Sequence, residues 1–211
     1  MSPVTEQRVT PAWTLAILAG GQSRRMGQDK ADLVLEGQTW VQHLANRLAP
    51  PGVPVVVATR DPNGPGADSG YPVVVDAIPG AGPMAAMEAV LGAIQTPYAL
   101  FVPCDMLSLP ADLGDRMLRF VPGVHGVVAR LGEQIQPFPV LLADDLREPM
   151  RAWLRAGFRR ADHWLDHVPA RIVPYAELFP GDPTGRGLAN LNDSSALHEW
   201  ESTNRGTRGD D

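Results

Sequence analysis

The chain has 211 residues, a net charge of -6 and one cysteine. That length suits one α/β domain, or one domain with a small second lobe. The acidic balance argues against a general nucleic-acid binder, whose footprint is basic; the lone Cys104 rules out an intrachain disulfide; and no stretch approaches the roughly 20 apolar residues of a membrane helix. Residues 1–10 have no apolar core and read as a frayed extension, not a signal peptide. The expectation is a soluble, cytoplasmic protein.

The first apolar run, Trp13–Leu18, reads as a buried strand. It opens into Leu18-Ala19-Gly20-Gly21-Gln22-Ser23-Arg24-Arg25-Met26-Gly27-Gln28-Asp29-Lys30. Gly20 and Gly21 carry no side chains, so successive backbone N–H groups can face an anion. Arg24, Arg25 and Lys30 concentrate positive charge in an acidic chain, which points to a phosphate site. A Walker A loop does not fit: Gln28-Asp29 intervene between Gly27 and the lysine. A Rossmann fingerprint does not fit either, because its second glycine is missing and the loop is longer. The competing reading is a basic, glycine-rich surface loop.

Residues 32–37 alternate briefly and turn at Gly37. A helix is expected over 39–48, capped by Thr39 and burying Val41, Leu44, Ala45 and Leu48. Pro50-Pro51 ends it. A second strand is expected over 53–58, a loop over 61–71, and a third strand over 73–76, closed by Asp76. The stretch 78–83 leads into a helix over 84–94, with Pro83 suited to its first turn. A fourth strand, 98–102, ends in Pro103-Cys104-Asp105, and a helix follows over 110–120. Alternating strands and helices predict a mostly parallel sheet with right-handed crossovers. Ligands bind outside the carboxyl ends of such strands, where residues 20–30, Asp76, residues 80–82 and Asp105 all fall.

The second half predicts strands over 125–130 and 138–142 around a turn at Gly132, and helices over 145–156 and 161–167 broken at Gly157. It continues with a strand over 171–175, a Pro/Gly loop over 179–187, and a last helix capped by Asn192 or Asp193. The organisation expected is one domain over 1–202, with a nucleotide-binding half (about 12–120), a substrate half (about 121–202) and a disordered tail at 203–211.

Asp105 is the candidate metal ligand, because Mg²⁺ takes one or two carboxylates plus phosphate oxygens and waters. The alternative is an aspartate closing the turn before Pro110. Lys30 would neutralise a triphosphate as a compact cation, and Arg25 would grip phosphate oxygens with paired donors. Asp29 would orient the loop. Asp76 would accept hydrogen bonds from a ligand's hydroxyl or N–H groups (under the resemblance given below, a ribose hydroxyl or guanine N1/N2), or simply make a turn. Asn190 and Asn192 flank one residue and share a face if extended, with helix capping the alternative for Asn192. Gln136-Pro137 and Arg159-Arg160 are weaker substrate candidates. His163 and His167 lie four apart but lack a third ligand, and Cys104 lacks a histidine partner for nucleophilic work.

The long loop, with Val75-Asp76, Pro79-Gly80-Ala81-Gly82-Pro83-Met84, Pro103-Cys104-Asp105-Met106 and Asn190-Leu191-Asn192, resembles the molybdenum cofactor guanylyltransferases. The resemblance runs from about Trp13 to about Trp200. It implies a three-layer Rossmann-like nucleotidyltransferase fold with helices on both faces of a mostly parallel sheet. It implies transfer of GMP from GTP to molybdenum-molybdopterin with release of pyrophosphate. Leu18, Ala19, Gly20, Gly21, Lys30, Asp76 and Asp105 would form the nucleotide site, with Mg²⁺ on Asp105. Lys30, Arg25 and Asp105 would carry catalysis, and Arg25, Asn190 and Asn192 would meet the pterin. Transient partners would be other cofactor-biosynthesis proteins and apo-molybdoenzymes, with no nucleic acid or membrane. Two positions depart from the family pattern: the usual Asn near the end of the second strand is missing from Val57-Ala58-Thr59, its contact absent or replaced by Thr59, and Asp32 replaces an apolar residue. The rivals are a CTP-dependent enzyme of the same fold, acting on molybdopterin or an isoprenoid phosphate, and a nucleotide-binding module without turnover. Against the first, related cytidylyltransferases carry Ala-Ala-Gly where this chain has Leu-Ala-Gly-Gly.

Overall fold

Unbroken apolar character makes Trp13–Leu18 (β1) an interior strand, with five of its six residues buried. The computed structural model describes residues 11–20, 30–35, 37–76, 78 and 80–191. After β1 comes a small hairpin, β2 (Val34–Leu35) and β3 (Gln38–Thr39), and then α1 (Trp40–Leu48). Thr39 caps α1 through a reciprocal pair: its Oγ1 accepts from the Gln42 N–H (3.2 Å), and Gln42 Oε1 accepts from the Thr39 N–H (3.0 Å). The chain continues through β4 (Val55–Thr59), β5 (Val73–Val75), α2 (Pro83–Leu91), β6 (Tyr98–Pro103) and α3 (Leu113–Leu118). The second half supplies β7 (Gly126–Leu131), β8 (Gln134–Ala143), α4 (Arg147–Arg155), α5 (Ala161–Leu165), β9 (Ala170–Pro174) and α6 (Tyr175–Leu178).

One seven-stranded sheet has the order β5-β4-β1-β6-β8-β7-β9. β1 pairs in parallel with β4 and β6, β4 with β5, and β7 with β9; β8 alone runs the other way, against β6 and β7. From β1 the chain winds outward to β4 and β5, then returns to β6 on the other side. The reversal places a switch-point crevice at the carboxyl ends of β1 and β6.

Alternate strand residues feed two cores. Leu15, Ile17 and Leu100 pack on one face with Trp40, Leu44, Met117 and Leu178 from α1, α3 and α6. Ala16 and Phe101 pack on the other with Met84, Met87, Met150 and Trp164 from α2, α4 and α5. The result is the expected three-layer, mostly parallel α/β fold. α2 is buried nearly all round, and its inward Glu88 meets Arg147 Nε at 3.1 Å and Arg151 Nη2 at 2.7 Å, joining α2 to α4.

Several boundaries differ from expectation for local reasons. β4 starts at Val55, because the Val53 N–H donates to the Pro50 carbonyl (3.0 Å) and closes a turn. Residues 110–112 form a turn instead of helix: the Leu113 N–H reaches the Pro110 carbonyl (3.1 Å). β8 begins at Gln134, since the Gly132 turn keeps Leu131 paired with Gln134. β9 ends at Pro174, and Tyr175, expected to close that strand, instead opens the short α6. The last predicted helix and the tail lie outside the described residues. Among the described residues, no helix is long and apolar enough to cross a membrane.

Candidate active site

The site grows from the carboxyl end of β1. The Ala19 N–H donates to the Ala58 carbonyl (2.9 Å), and the Cys104 N–H donates to the Leu18 carbonyl (3.1 Å). The end of β1 is thus clasped between the ends of β4 and β6, and Asp105 follows directly. Lys30 returns on a one-turn 3-10 helix, Lys30–Asp32, with only 5% of its side chain exposed. Its Nζ stands 3.0 Å from Asp105 Oδ2. A buried ammonium is costly unless a carboxylate offsets the lost hydration, which Asp105 does.

Asp32, one of the two departures from the family pattern, has a structural task. Its Oδ1 accepts from the Gly66 N–H at 2.8 Å. Gly66 has φ 78, and a Cβ there would lie 3.0 Å from Val57 Cγ1 and 3.1 Å from Val41 Cγ2. Only glycine lets this loop come down so closely, and Asp32 pins it beside the end of β4.

Asp76 follows β5, and its N–H donates to the Thr59 carbonyl at 3.0 Å. That bond sets Asp76 beside the peptide leading into Arg60. Strand alternation then decides which residues after β4 face the site. Ala58 and Arg60 line it, whereas Thr59 is buried with its Oγ1 towards Gly64, 2.8 Å from where a Cβ of that glycine would be. Thr59 therefore does not stand in for the missing Asn. Arg60 lays its Cγ 3.5 Å from the Cβ position of Gly20. Burial pushes the Asp76 carboxyl above the ordinary aspartate pKa, and the Arg60 charge pulls it partly back.

These residues enclose a cavity of about 490 Å³, within the range of small-ligand sites. Gly82 and Pro83 bring the N-terminus of α2 to it; Gly82 has φ 65, and no side chain caps the helix there, so its leading N–H groups are available to an anion. On the far side, the Leu191 N–H donates to the Asp105 carbonyl (2.9 Å) and seats Asn190 on the cavity lining. Cys104 also lines the cavity, but burial pushes its thiol up to about 12, so it stays protonated and is no nucleophile at neutral pH.

Leu18, Ala19, Gly20, Lys30, Asp76, Asp105 and Asn190 all line this one cavity. Gly21, Arg24, Arg25, Asp29 and Asn192 lie outside the described residues. Gln136, Arg159 and Arg160 are not on the lining. Arg159 donates to the Leu154 carbonyl (2.7 Å) at the end of α4, and Arg160 is engaged by Asp162. His167 Nδ1 contacts the His163 carbonyl at 2.7 Å. Arg60, Ala86 and Phe138 line the cavity but escaped the sequence reading. Arg60 could have been found by extending the strand-end rule one residue past β4. Phe138, inside β8, carries no local signal, because its place depends on an antiparallel pairing across the sheet.

Residues 15–171 match the MobA-like NTP transferase domain. The chain belongs to that family. Relatives of this MobA-like NTP transferase include the molybdenum cofactor guanylyltransferase of Shewanella putrefaciens, 40% identical over 76% of this chain and 85% of that protein. The enzyme of the same name from Shewanella sediminis is 39% identical over 76% and 84%. Among solved structures, molybdopterin-guanine dinucleotide biosynthesis protein A from Archaeoglobus fulgidus superposes with a TM-score of 0.77 over 92% of this chain and 99% of that one, at 18% identity. The 2-C-methyl-D-erythritol 4-phosphate cytidylyltransferase of Thermus thermophilus gives 0.65 over 90% and 98%, at 17% identity. At such identities the superpositions establish the shared fold alone. In this MobA-like chain the cavity lies at the crevice where the strand order reverses, as the general rule for open parallel sheets leads one to expect.

Proposed function

We propose that the protein transfers GMP from GTP to molybdenum-molybdopterin, forming the guanine dinucleotide form of the cofactor and releasing pyrophosphate. The observation that carries this reading is the buried Lys30–Asp105 pair, 3.0 Å apart, on the cavity at the strand ends. The guanylyltransferase relatives, near 40% identity over most of their length, support the choice of substrates. The terminal phosphate oxygen of molybdopterin attacks the α-phosphorus of GTP. A new P–O bond forms, the bond from the α-phosphorus to the bridging oxygen breaks, and pyrophosphate leaves with that electron pair. A phosphate monoester is largely dianionic at neutral pH, so no strong general base is needed. Positioning and charge neutralisation remain as the work of the protein.

Lys30 supplies a fixed positive charge for phosphate oxygens. The open N-terminus of α2 and the backbone at Gly20 offer N–H donors. Arg25 is assigned to phosphate oxygens at the reacting end, and Asn190 and Asn192 to the pterin. The donor set suits magnesium: Asp105 is a hard oxygen ligand on the cavity, and phosphates complete the shell. Bound there, Mg²⁺ would neutralise charge on the triphosphate. The reading has the enzyme work in the cytoplasm and pass its product to apo-molybdoenzymes.

The test is nucleotide selectivity followed by turnover. With Mg²⁺ present, GTP at a hundred times its Kd should add about 2.7 kcal/mol of stability, or roughly 5–10 °C in Tm. CTP, ATP and UTP should do far less. Pyrophosphate release should then require both GTP and molybdenum-molybdopterin. A preference for CTP, or GTP binding with no pyrophosphate release, overturns the reading.

A further inference from the structure

Arg60 belongs to no part of the phosphate-transfer argument, yet it lines the cavity beside Asp76. The two sit at the ends of neighbouring strands, β4 and β5, joined by the bond from the Asp76 N–H to the Thr59 carbonyl. Lys30 and Asp105 gather at the ends of β1 and β6, about two strand spacings away, or ~10 Å. That separation suits a nucleotide whose phosphates lie at β1/β6 and whose base lies at β4/β5. The base end would then face one donor group and one acceptor group.

We propose that Arg60 is a specificity-determining residue that, paired with Asp76, reads the guanine base. The assignment rests on the guanylyltransferase reading and deepens it. Guanine presents acceptors at O6 and N7, and arginine matches them with two parallel donors. It presents donors at N1–H and N2–H₂, and a carboxylate matches those. Adenine and cytosine reverse the pattern: their amino groups would meet the guanidinium, and their bare ring nitrogens would meet the carboxylate. Such mismatches leave both protein groups unsatisfied, which is where polar sites gain their discrimination. The position of Arg60 suits a reader at this end of the cavity. Its Cγ lies 3.5 Å from the Cβ position of Gly20, in van der Waals contact with the start of the loop, and Thr59 beside it turns into the protein and offers nothing to a ligand.

The experiment measures Kd for GTP, ITP, ATP and CTP on the full chain and on the Arg60→Ala and Arg60→Lys variants. Arg60 is exposed, so all three proteins should melt alike without nucleotide. Arg60→Ala should lower the GTP-over-ATP preference by about tenfold to a hundredfold. ITP keeps O6 and N7, so its affinity should fall by the same factor as that of GTP. Arg60→Lys should restore part of the preference. An equal loss for all four nucleotides would place Arg60 on the phosphates and overturn the assignment, as would an unchanged preference. A wild-type protein with no GTP preference removes the guanylyltransferase reading along with it, whereas a preference that survives Arg60→Ala removes only the role of Arg60.

Discussion

At the scale of single residues the cavity is marked by charge. Lys30 and Asp105 come from distant parts of the chain and meet at 3.0 Å with the lysine almost fully buried. Lys30→Ala should lower kcat by roughly a hundredfold to a thousandfold, the usual cost of losing one preorganised charge-stabilising group. Lys30→Arg should not rescue it, because the planar guanidinium cannot occupy the volume of a buried ammonium. Steady-state kinetics, with circular dichroism as the folding control, checks both. Two titrations follow from burial. The carboxyl pKa of Asp76 is raised in the folded chain, so it takes up its proton at a higher pH than an unfolded aspartate. GTP affinity should therefore decline on acidification sooner than for an ordinary aspartate, and sooner still in Arg60→Ala, where the counteracting charge is gone. Binding measured from about pH 4 to 7 reads this shift. Cys104 is protonated in both states below the usual thiol value of 9.0, but above it only the unfolded chain ionises until about 12. Folding stability should fall across that alkaline window, and Cys104→Ala should flatten the decline.

At the scale of elements, packing and capping hold the strand ends in place. Thr39→Ala breaks both bonds of the α1 capping box and should cost about 1 kcal/mol in denaturant melts. Glu88→Ala leaves Arg147 and Arg151 without the buried carboxylate that joins α2 to α4. It should cost about 2 kcal/mol, less than a fully buried pair because both arginines are partly exposed. It should also weaken nucleotide binding through the displaced N-terminus of α2. Elements whose signals are local were legible in the sequence. β1 and β6 are apolar runs between turn residues, Thr39 announces α1, and Pro83 announces α2. Lys30, Asp76 and Asp105 could be grouped because each follows a parallel strand. What the sequence withheld depends on contacts between distant segments. β8 extends through its pairing with β7, Phe138 lines the cavity from the stretch of β8 just beyond its last paired residue on β6, and the role of Asp32 exists only because Gly66 folds down onto it. Arg60 shows a subtler gap. The expected Asn drew attention to Val57-Ala58-Thr59, while strand alternation put the next residue on the cavity.

At the scale of the whole molecule, one sheet runs through both halves of the chain. β8 pairs directly with β6, covering Leu100 and Phe101, and carries β7 and β9 beyond it. Thermal unfolding should thus be a single cooperative transition, with near- and far-ultraviolet dichroism coincident. A fragment ending near residue 120 should not fold, because β6 would become an apolar edge.

The bond from the Leu191 N–H to the Asp105 carbonyl also sets an order in time. Lys30 and Asp105 leave the ribosome before the segment carrying Asn190 does. At ordinary translation rates the interval between Asp105 and Leu191 is on the order of ten seconds. Throughout that interval the nascent chain lacks the far wall of the cavity. The cavity gains its far wall only once Leu191 has been made.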